Sequence, residues 1–446
     1  MRLLQLTPPP ACSLFLEYPV DLIETAYSLI VPSLTVLNYT SDSTERSLAL
    51  VSYILGDCPG CGACQSFGNI DVRGSFISQG CGCCKYHSRI PLPPVKKKLL
   101  YLDQFFFSHA FRGNEPQFLE AAERIRTLAA KQLLVAPYST VHEDETKQWE
   151  HYDELLDFVK ATSRGHEFSA QFNVEHTQLY KAFEAFLRGE PVTYVRARND
   201  ILEDDIDAWD GYFRIDVPRF QRDRNDLKTA KTRLVEGLIE LFPRWRASAS
   251  KFEDDVWLED HAAGRQYLAR YAEYVQRLVE GDFAVMANGH IDSLVMETLL
   301  RFIPRDVPRL DAMKLIVDFF TSDHFRDIPH RYVASRMFAT LKKLVKEGAY
   351  RNAEVARGKL SGFYSDVDHI ATYAPYCDAF LMDRAMAEMV NRPTVALSEK
   401  YGVKVFSRGN WNEMHAWFDE LEATLTAEHQ AALEAAYPTT NFGAAD

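Results

Sequence analysis

Six of the chain's eight cysteines, Cys58, Cys61, Cys64, Cys81, Cys83 and Cys84, fall in one short stretch of a 446-residue chain. Thiols crowded this closely either cross-link or share a metal ion. Dense disulfides belong to small secreted domains, so in a long chain the crowding reads as metal binding. Cys58-Pro59-Gly60-Cys61 and Cys81-Gly82-Cys83-Cys84 each hold two thiols two residues apart. A tight turn brings both sulfurs of such a pair to one ion, and Gly60 and Gly62 let the backbone close. Four thiolates make a closed tetrahedral shell, the mark of a structural Zn²⁺. Cys58, Cys61, Cys81 and Cys84 are the expected ligands. Cys64 in place of Cys58, Cys83 in place of Cys84, and an iron–sulfur cluster remain open alternatives.

The segment 65–80, with Phe67, Ile70, Val72 and Phe76, is expected to be a hairpin between the two knuckles, and 51–95 as a whole resembles a zinc ribbon. Pro91, Pro93 and Pro94 read as a stiff linker. Lys85, His87, Arg89 and Lys96–Lys98 form a basic run between the ribbon and the rest of the chain. Such a run either leads a phosphate backbone inward or is a solvated linker.

The formal charge of −13 works against coating DNA or RNA. It leaves room for an acidic site that meets phosphates through bound cations. No apolar run is long enough to span a membrane. Residues 1–50 include apolar stretches, Leu14–Leu16 and Leu29–Val31, but also Glu17, Asp21 and Glu24, without the basic start of a secretory leader. A cytoplasmic protein with no membrane partner is the expectation. No Gly-rich phosphate loop and no Ser/His/Asp nucleophile pattern is present.

From Leu99 strands and helices alternate. Leu99–Asp103 and Leu133–Ala136 read as buried strands, Pro116–Gln132 as an amphipathic helix, and Ser139 as the cap of a helix running to about Lys160. Residues 165–360 repeat apolar residues at helical spacing, as in Arg233–Leu241, Gln266–Val279 and Tyr332–Val345. The acidic run Glu203, Asp204, Asp205 and Asp207 reads as a solvated face. Alternation then returns, with Ala379–Met382 and Val403–Ser407 as strands. The expected organisation is an N-terminal segment of unclear structure at 1–50, a zinc ribbon at 51–95, an α/β domain in two parts at 96–164 and 361–446, and a large all-helical insertion at 165–360. Strands alternating with helices imply a parallel sheet covered on both faces.

Asp103 ends the first strand of this unit and Asp383 ends a later one. In an open parallel sheet the carboxyl ends of strands line the ligand crevice, so the two acids can converge. Glu145, and Asp366 or Asp368, are placed to join them. Clustered carboxylates need a positive partner, and Mg²⁺ or Mn²⁺ is the usual one.

The segments Tyr101-Leu102-Asp103-Gln104, Pro137 to Glu145, Asp366 to Tyr373 and Cys377 to Arg384 together resemble a PIN-like nuclease. The resemblance covers Leu99–Lys160 and Asp366–Ala423, which the helical insertion splits. It implies an acidic metal site of Asp103, Glu145, Asp366 and Asp383, with metal-dependent phosphodiester cleavage, most often of RNA. Other readings of the same residues are a non-catalytic module that meets a protein partner through the ribbon or the insertion, and a phosphohydrolase acting on DNA or nucleotides.

Overall fold

Two four-stranded sheets of opposite kinds organise the chain. The structure is a computed structural model and describes residues 50–147, 149, 151–213, 224–288 and 291–438. The expectation for the N-terminal segment, Leu50 apart, lies outside the described residues, as does Cys12. The described residues all belong to one compact unit, Leu48–Asp446.

The first sheet is antiparallel, with strands β1 (Tyr53–Gly56), β2 (Phe67–Arg73), β3 (Phe76–Cys81) and β4 (His87–Pro91) in sequence order. β2 and β3 are the expected hairpin between the knuckles. One face of this sheet is anchored: Val72 and Ile77 pack with Trp209, Leu433 and Tyr437. Asn69 adds a bond from its side-chain amide to the Ala435 carbonyl at 2.8 Å.

The second sheet is all parallel, in the order β6-β5-β7-β8: β5 is Lys98–Leu102, β6 Leu134–Val135, β7 Ala379–Leu381 and β8 Lys404–Phe406. Its strands are short apolar runs because helices cover both faces. Leu99, Tyr101, Val135, Phe380 and Val405 face one layer, and Leu100, Leu102, Leu134, Ala379, Leu381 and Phe406 the other. The alternation is the two-residue period of a strand. Tyr101 and Phe380 are register partners on β5 and β7, and their rings stack 4.2 Å apart.

Helices α1 (Gln104–Arg112), α2 (Pro116–Ala130), α3 (Thr140–Thr146) and α4 (Tyr152–Ser163) follow β5 and flank β6. Phe106, Phe118, Ile125 and Val159 from this group, with Phe418 of the helix Trp411–Glu422, cover the second face. The first face is covered from the second α/β part, with Val367, Ile370 and Tyr373 of the helix Phe363–Tyr373, and from the central stretch. There α5 (Gln171–Leu187), α6 (Arg224–Glu240) and the helix Pro329–Lys346 contribute Val174, Leu238, Val333, Met337 and Leu341. The helical stretch between the two halves therefore shares one of the sheet's two layers with the helix Phe363–Tyr373, whose Tyr373 ring stacks on Tyr101. It also carries a further core of its own, around Phe183, Leu299, Ile316 and Phe319.

Two local expectations are corrected. The helix capped by Ser139 does not run to Lys160: α3 ends at Thr146 and α4 begins at Tyr152. The segment read as a stiff linker with a basic run beside it is partly packed into the protein. Leu92 and Val95 are buried, and Lys97 is 1% exposed with its ammonium 2.7 Å from Asp210. A basic residue read as a backbone guide is instead half of a buried ion pair.

Candidate functional site

The four expected cysteines come together. Cys58 and Cys61 lie in the loop after β1, Cys81 ends β3, and Cys84 lies in the turn before β4. One ligand atom from each lies within 4.8 Å of all the others, and among the described residues this is the one such group of three or more found. Cys58 Sγ is 3.7 Å from Cys84 Sγ, and Cys61 Sγ is 3.8 Å from Cys81 Sγ. A tetrahedron with zinc–sulfur bonds of about 2.3 Å has edges of about 3.8 Å, so the spacing fits zinc. The sulfurs also receive backbone N–H groups: Gly60 to Cys58 at 3.3 Å, Cys83 to Cys81 at 3.2 Å and Tyr86 to Cys84 at 3.4 Å. A hydrogen bond from Ser66, with the Cys83 amide, draws the Cys81 thiol down to about 6. Gly62 takes φ +70°, and a Cβ on Gly60 would meet the Tyr86 ring at 2.9 Å. Both knuckle glycines are thus required by geometry. The group could hold a metal such as zinc and form a zinc ribbon. Cys64 and Cys83 are exposed, and Cys377 is buried in the sheet core.

The second site sits at the carboxyl edge of the parallel sheet. Asp103 and Asp383 follow β5 and β7, which are hydrogen-bonded neighbours, with Leu102 opposite Leu381. The Asp103 N–H donates to the Leu381 carbonyl at 3.0 Å. Each acid is also the N-cap of the next helix. Asp103 accepts from the Gln104 N–H at 2.7 Å, and Asp383 from Ala385 at 2.6 Å and Met386 at 3.1 Å. A strand that turns directly into a helix thus sets both carboxyls at the carboxyl edge of the sheet, beside positive helix ends.

Glu145 is brought there by His142. The His142 Nδ1 accepts from the Ser139 N–H at 2.9 Å, so its Nε2 carries the proton and donates to the Leu102 carbonyl at 2.8 Å. Burial holds this imidazole neutral, down to about 3. The bond ties α3 to the end of β5, one residue before Asp103. Gln104 adds a second tie, to the Thr146 hydroxyl at 3.1 Å.

Asp366 lies on the helix Phe363–Tyr373 and completes the group. Burial, joined by the charges of Glu145 and Asp383, pushes the Asp103 carboxyl up to about 8. Asp366 is raised well above the usual carboxylate range by burial, then by Asp103, Glu145 and Asp383. The four sequence-selected acids therefore feel one another. Asp368 does not share this group: burial raises it to about 6, while Arg331 and Gln171 act against the rise. Asp378 lies at the other end of β7, bonded to Lys98 at 2.8 Å and Arg198 at 2.7 Å.

The donor chemistry of the four acids suits a hard divalent cation. Their spacing is wider than the cysteine site's, since no three of them bring oxygens within 4.8 Å of one another. A lysine meets them instead: Lys231 Nζ of α6 is 2.9 Å from Glu145 Oε1. Sequence reasoning misses Lys231, because nothing in an amphipathic helix separates it from solvated lysines. It also leaves His142 as an ordinary histidine, although Ser139 three residues earlier is a capping signal for it.

No protein-family model matches this chain, and no curated protein and no solved structure matches it either.

Proposed function

We propose that the chain is a metal-dependent phosphodiesterase with a PIN-like acidic site, acting on RNA as an endonuclease, and that the cysteine module is its structural zinc ribbon. One observation carries the reading: Asp103 and Asp383 stand side by side at the carboxyl ends of β5 and β7, with Glu145 and Asp366 electrostatically joined to them. Single acids at strand ends are commonplace. Four from distant sequence, two of them, Asp103 and Asp366, raised by burial and by the charges of the others, are the pattern of a functional site.

Asp103, Glu145, Asp366 and Asp383 would hold Mg²⁺ or Mn²⁺, which activates water and offsets phosphoryl charge when bound. The chain's own part is to keep carboxylates ionisable against their mutual repulsion. The helix N-termini beyond Asp103 and Asp383 favour the charged forms, and His142 fixes the distance between α3 and β5. The substrate class rests on the resemblance in sequence.

A non-catalytic scaffold is the second reading, favoured by the wide carboxylate spacing and by Lys231 on Glu145. Incubation of labelled single-stranded RNA, single-stranded DNA and nucleotides with Mn²⁺, with EDTA as control, separates the readings. The first expects RNA cleavage that EDTA stops and Asp103→Asn removes. Cleavage that Asp103→Asn leaves intact rejects this site. No cleavage of any substrate with Mn²⁺ moves the scaffold ahead.

A further inference from the structure

Four carboxyl groups held at one sheet edge need a counter-charge, and among the described residues Lys231 is the cation that bonds directly to the group. Its ammonium lies 2.9 Å from Glu145 Oε1, with the lysine side chain 30% and the glutamate 20% exposed. Its charge also acts on Asp366, opposing that residue's upward shift. The partners are far apart in sequence: Glu145 belongs to the crossover after β6, and Lys231 to α6 of the central helical stretch. The pair is therefore a tertiary contact made at the acidic crevice, unlike the neighbouring-turn pairs common on helix surfaces.

An ammonium on Glu145 and a divalent ion on the same carboxylate exclude each other, because like charges a few ångströms apart repel strongly in a half-shielded site. The carboxylate spacing agrees, being wider than a set closed around one ion. We propose that Lys231 is a resident counter-ion of the acidic site and must release Glu145 before a divalent cation takes that carboxylate. The inference rests on the reading of the acids as a divalent-cation site. Lys231 then stabilises the cation-free protein and raises the cation concentration needed to fill the site. The central helical stretch, through α6, thereby sets the metal threshold of a site whose acids all come from the α/β halves.

The test is Mn²⁺ binding to the full-length chain, with free Mn²⁺ read by electron paramagnetic resonance and no substrate present. Wild type is compared with Lys231→Met, Lys231→Gln, Lys231→Arg and Asp103→Asn. Lys231→Met and Lys231→Gln should bind Mn²⁺ roughly tenfold more tightly than wild type, since a repelling charge is gone. Lys231→Arg should stay near wild type, and Asp103→Asn should lose the site. Without metal, both neutral variants should melt below wild type at pH 8, and saturating Mn²⁺ should close that gap. Circular dichroism identifies any variant that fails to fold, and the other neutral variant then decides. If wild type binds Mn²⁺ through Asp103 and the folded neutral variant binds no more tightly, the inference is overturned and the acidic metal site stands. If neither wild type nor neutral variant binds Mn²⁺ in an Asp103-dependent way, the metal reading of the acids fails and takes the inference with it.

Discussion

Lys97 and Asp210 form an ion pair of 2.7 Å with both side chains almost wholly buried, at 1% and 6% exposure. Around the carboxylate gather Gln132 at 3.1 Å, Arg164 at 3.3 Å and His166 at 3.1 Å, and the Tyr437 hydroxyl donates to the Asp210 carbonyl at 2.7 Å. One acid thus joins the segment between the two sheets, the α2 and α4 ends, and the end of the helix Ala427–Ala436, which Tyr437 follows. Removing one partner of such a pair leaves a buried charge uncompensated, which costs about 3–5 kcal/mol. Asp210→Asn should lose about that much stability in urea unfolding at pH 7, while a Lys97→Met, Asp210→Leu double variant should lose less. Asp210 is held well below the usual carboxylate range; although burial opposes this, its His166 hydrogen bond and the Lys97 charge prevail. Its contribution is therefore present above the unfolded value, near pH 4, and fades as pH falls through the folded one. The gap between wild type and Asp210→Asn should shrink in strong acid. An equal gap at pH 7 and pH 2 would contradict this account.

For the cysteine module, one tightly held zinc per chain is expected. Cys58→Ser or Cys81→Ser should lose the metal and loosen the antiparallel sheet, because each sulfur is one corner of the shell. Cys64→Ser and Cys83→Ser should keep it, since both residues are exposed outside the four. Atomic absorption of the purified variants checks this. Full zinc content in a Cys58→Ser, Cys81→Ser double variant would sink the assignment.

The cysteine site and the strand ends were legible in the sequence for a simple reason: both are written locally. A Cys-x-x-Cys turn fixes its own geometry, and Leu99–Asp103 or Ala379–Asp383 announces a buried strand stopping at an acid. What was not legible is tertiary. The break between α3 and α4 has no proline or glycine to announce it. Lys97 looks like its neighbours Lys96 and Lys98, and only Asp210, far along the chain, decides that it is buried. Lys231 is hidden in the same way by Glu145. The central helices looked like an insertion because they stand between two stretches of alternating strands and helices. Val333 and Met337 pack into the same cluster as Tyr101 and Phe380, a fact that periodicity cannot carry.

The raised acids give a pH signature. Asp103, lifted to about 8 chiefly by burial, keeps a proton in the folded chain that the unfolded chain has released above about pH 4. Folded chains then bind more protons than unfolded ones, so this group's contribution to stability falls as pH rises between about 4 and 8. Asp103→Asn removes the penalty. In EDTA-treated protein it should melt above wild type at pH 8, by about a degree or more, and match it near pH 4. Added Mn²⁺ should raise the melting temperature of wild type and leave that of Asp103→Asn unchanged, because ligands stabilise the state that binds them. Differential scanning fluorimetry across pH 4–8 reads both effects. Melting curves that run parallel over that range would remove the electrostatic argument for the site.

The two ends of β7 offer the sharpest functional comparison. Asp378 precedes the strand and is committed to structure: it accepts from Lys98, from the Leu99 N–H at 2.9 Å and from Arg198. Asp383 follows the strand, caps the helix Arg384–Val390 and faces Asp103 across the neighbouring strand end. Asparagine can still cap a helix, so Asp383→Asn should fold and melt much as wild type does. It loses the charge that would hold a cation and offset charge in the transition state. Electrostatic groups of this kind are worth a few kcal/mol, so RNA cleavage with Mn²⁺ should fall roughly a hundredfold or more. Asp378→Asn should do the reverse: it weakens two charge-assisted bonds and lowers the melting temperature, yet keeps most of the cleavage rate per folded molecule. Initial rates at matched folded concentration decide the matter. Equal rate losses in the two variants would mean that β7 matters to cleavage only as a strand, and Asp383 would have no place in the site.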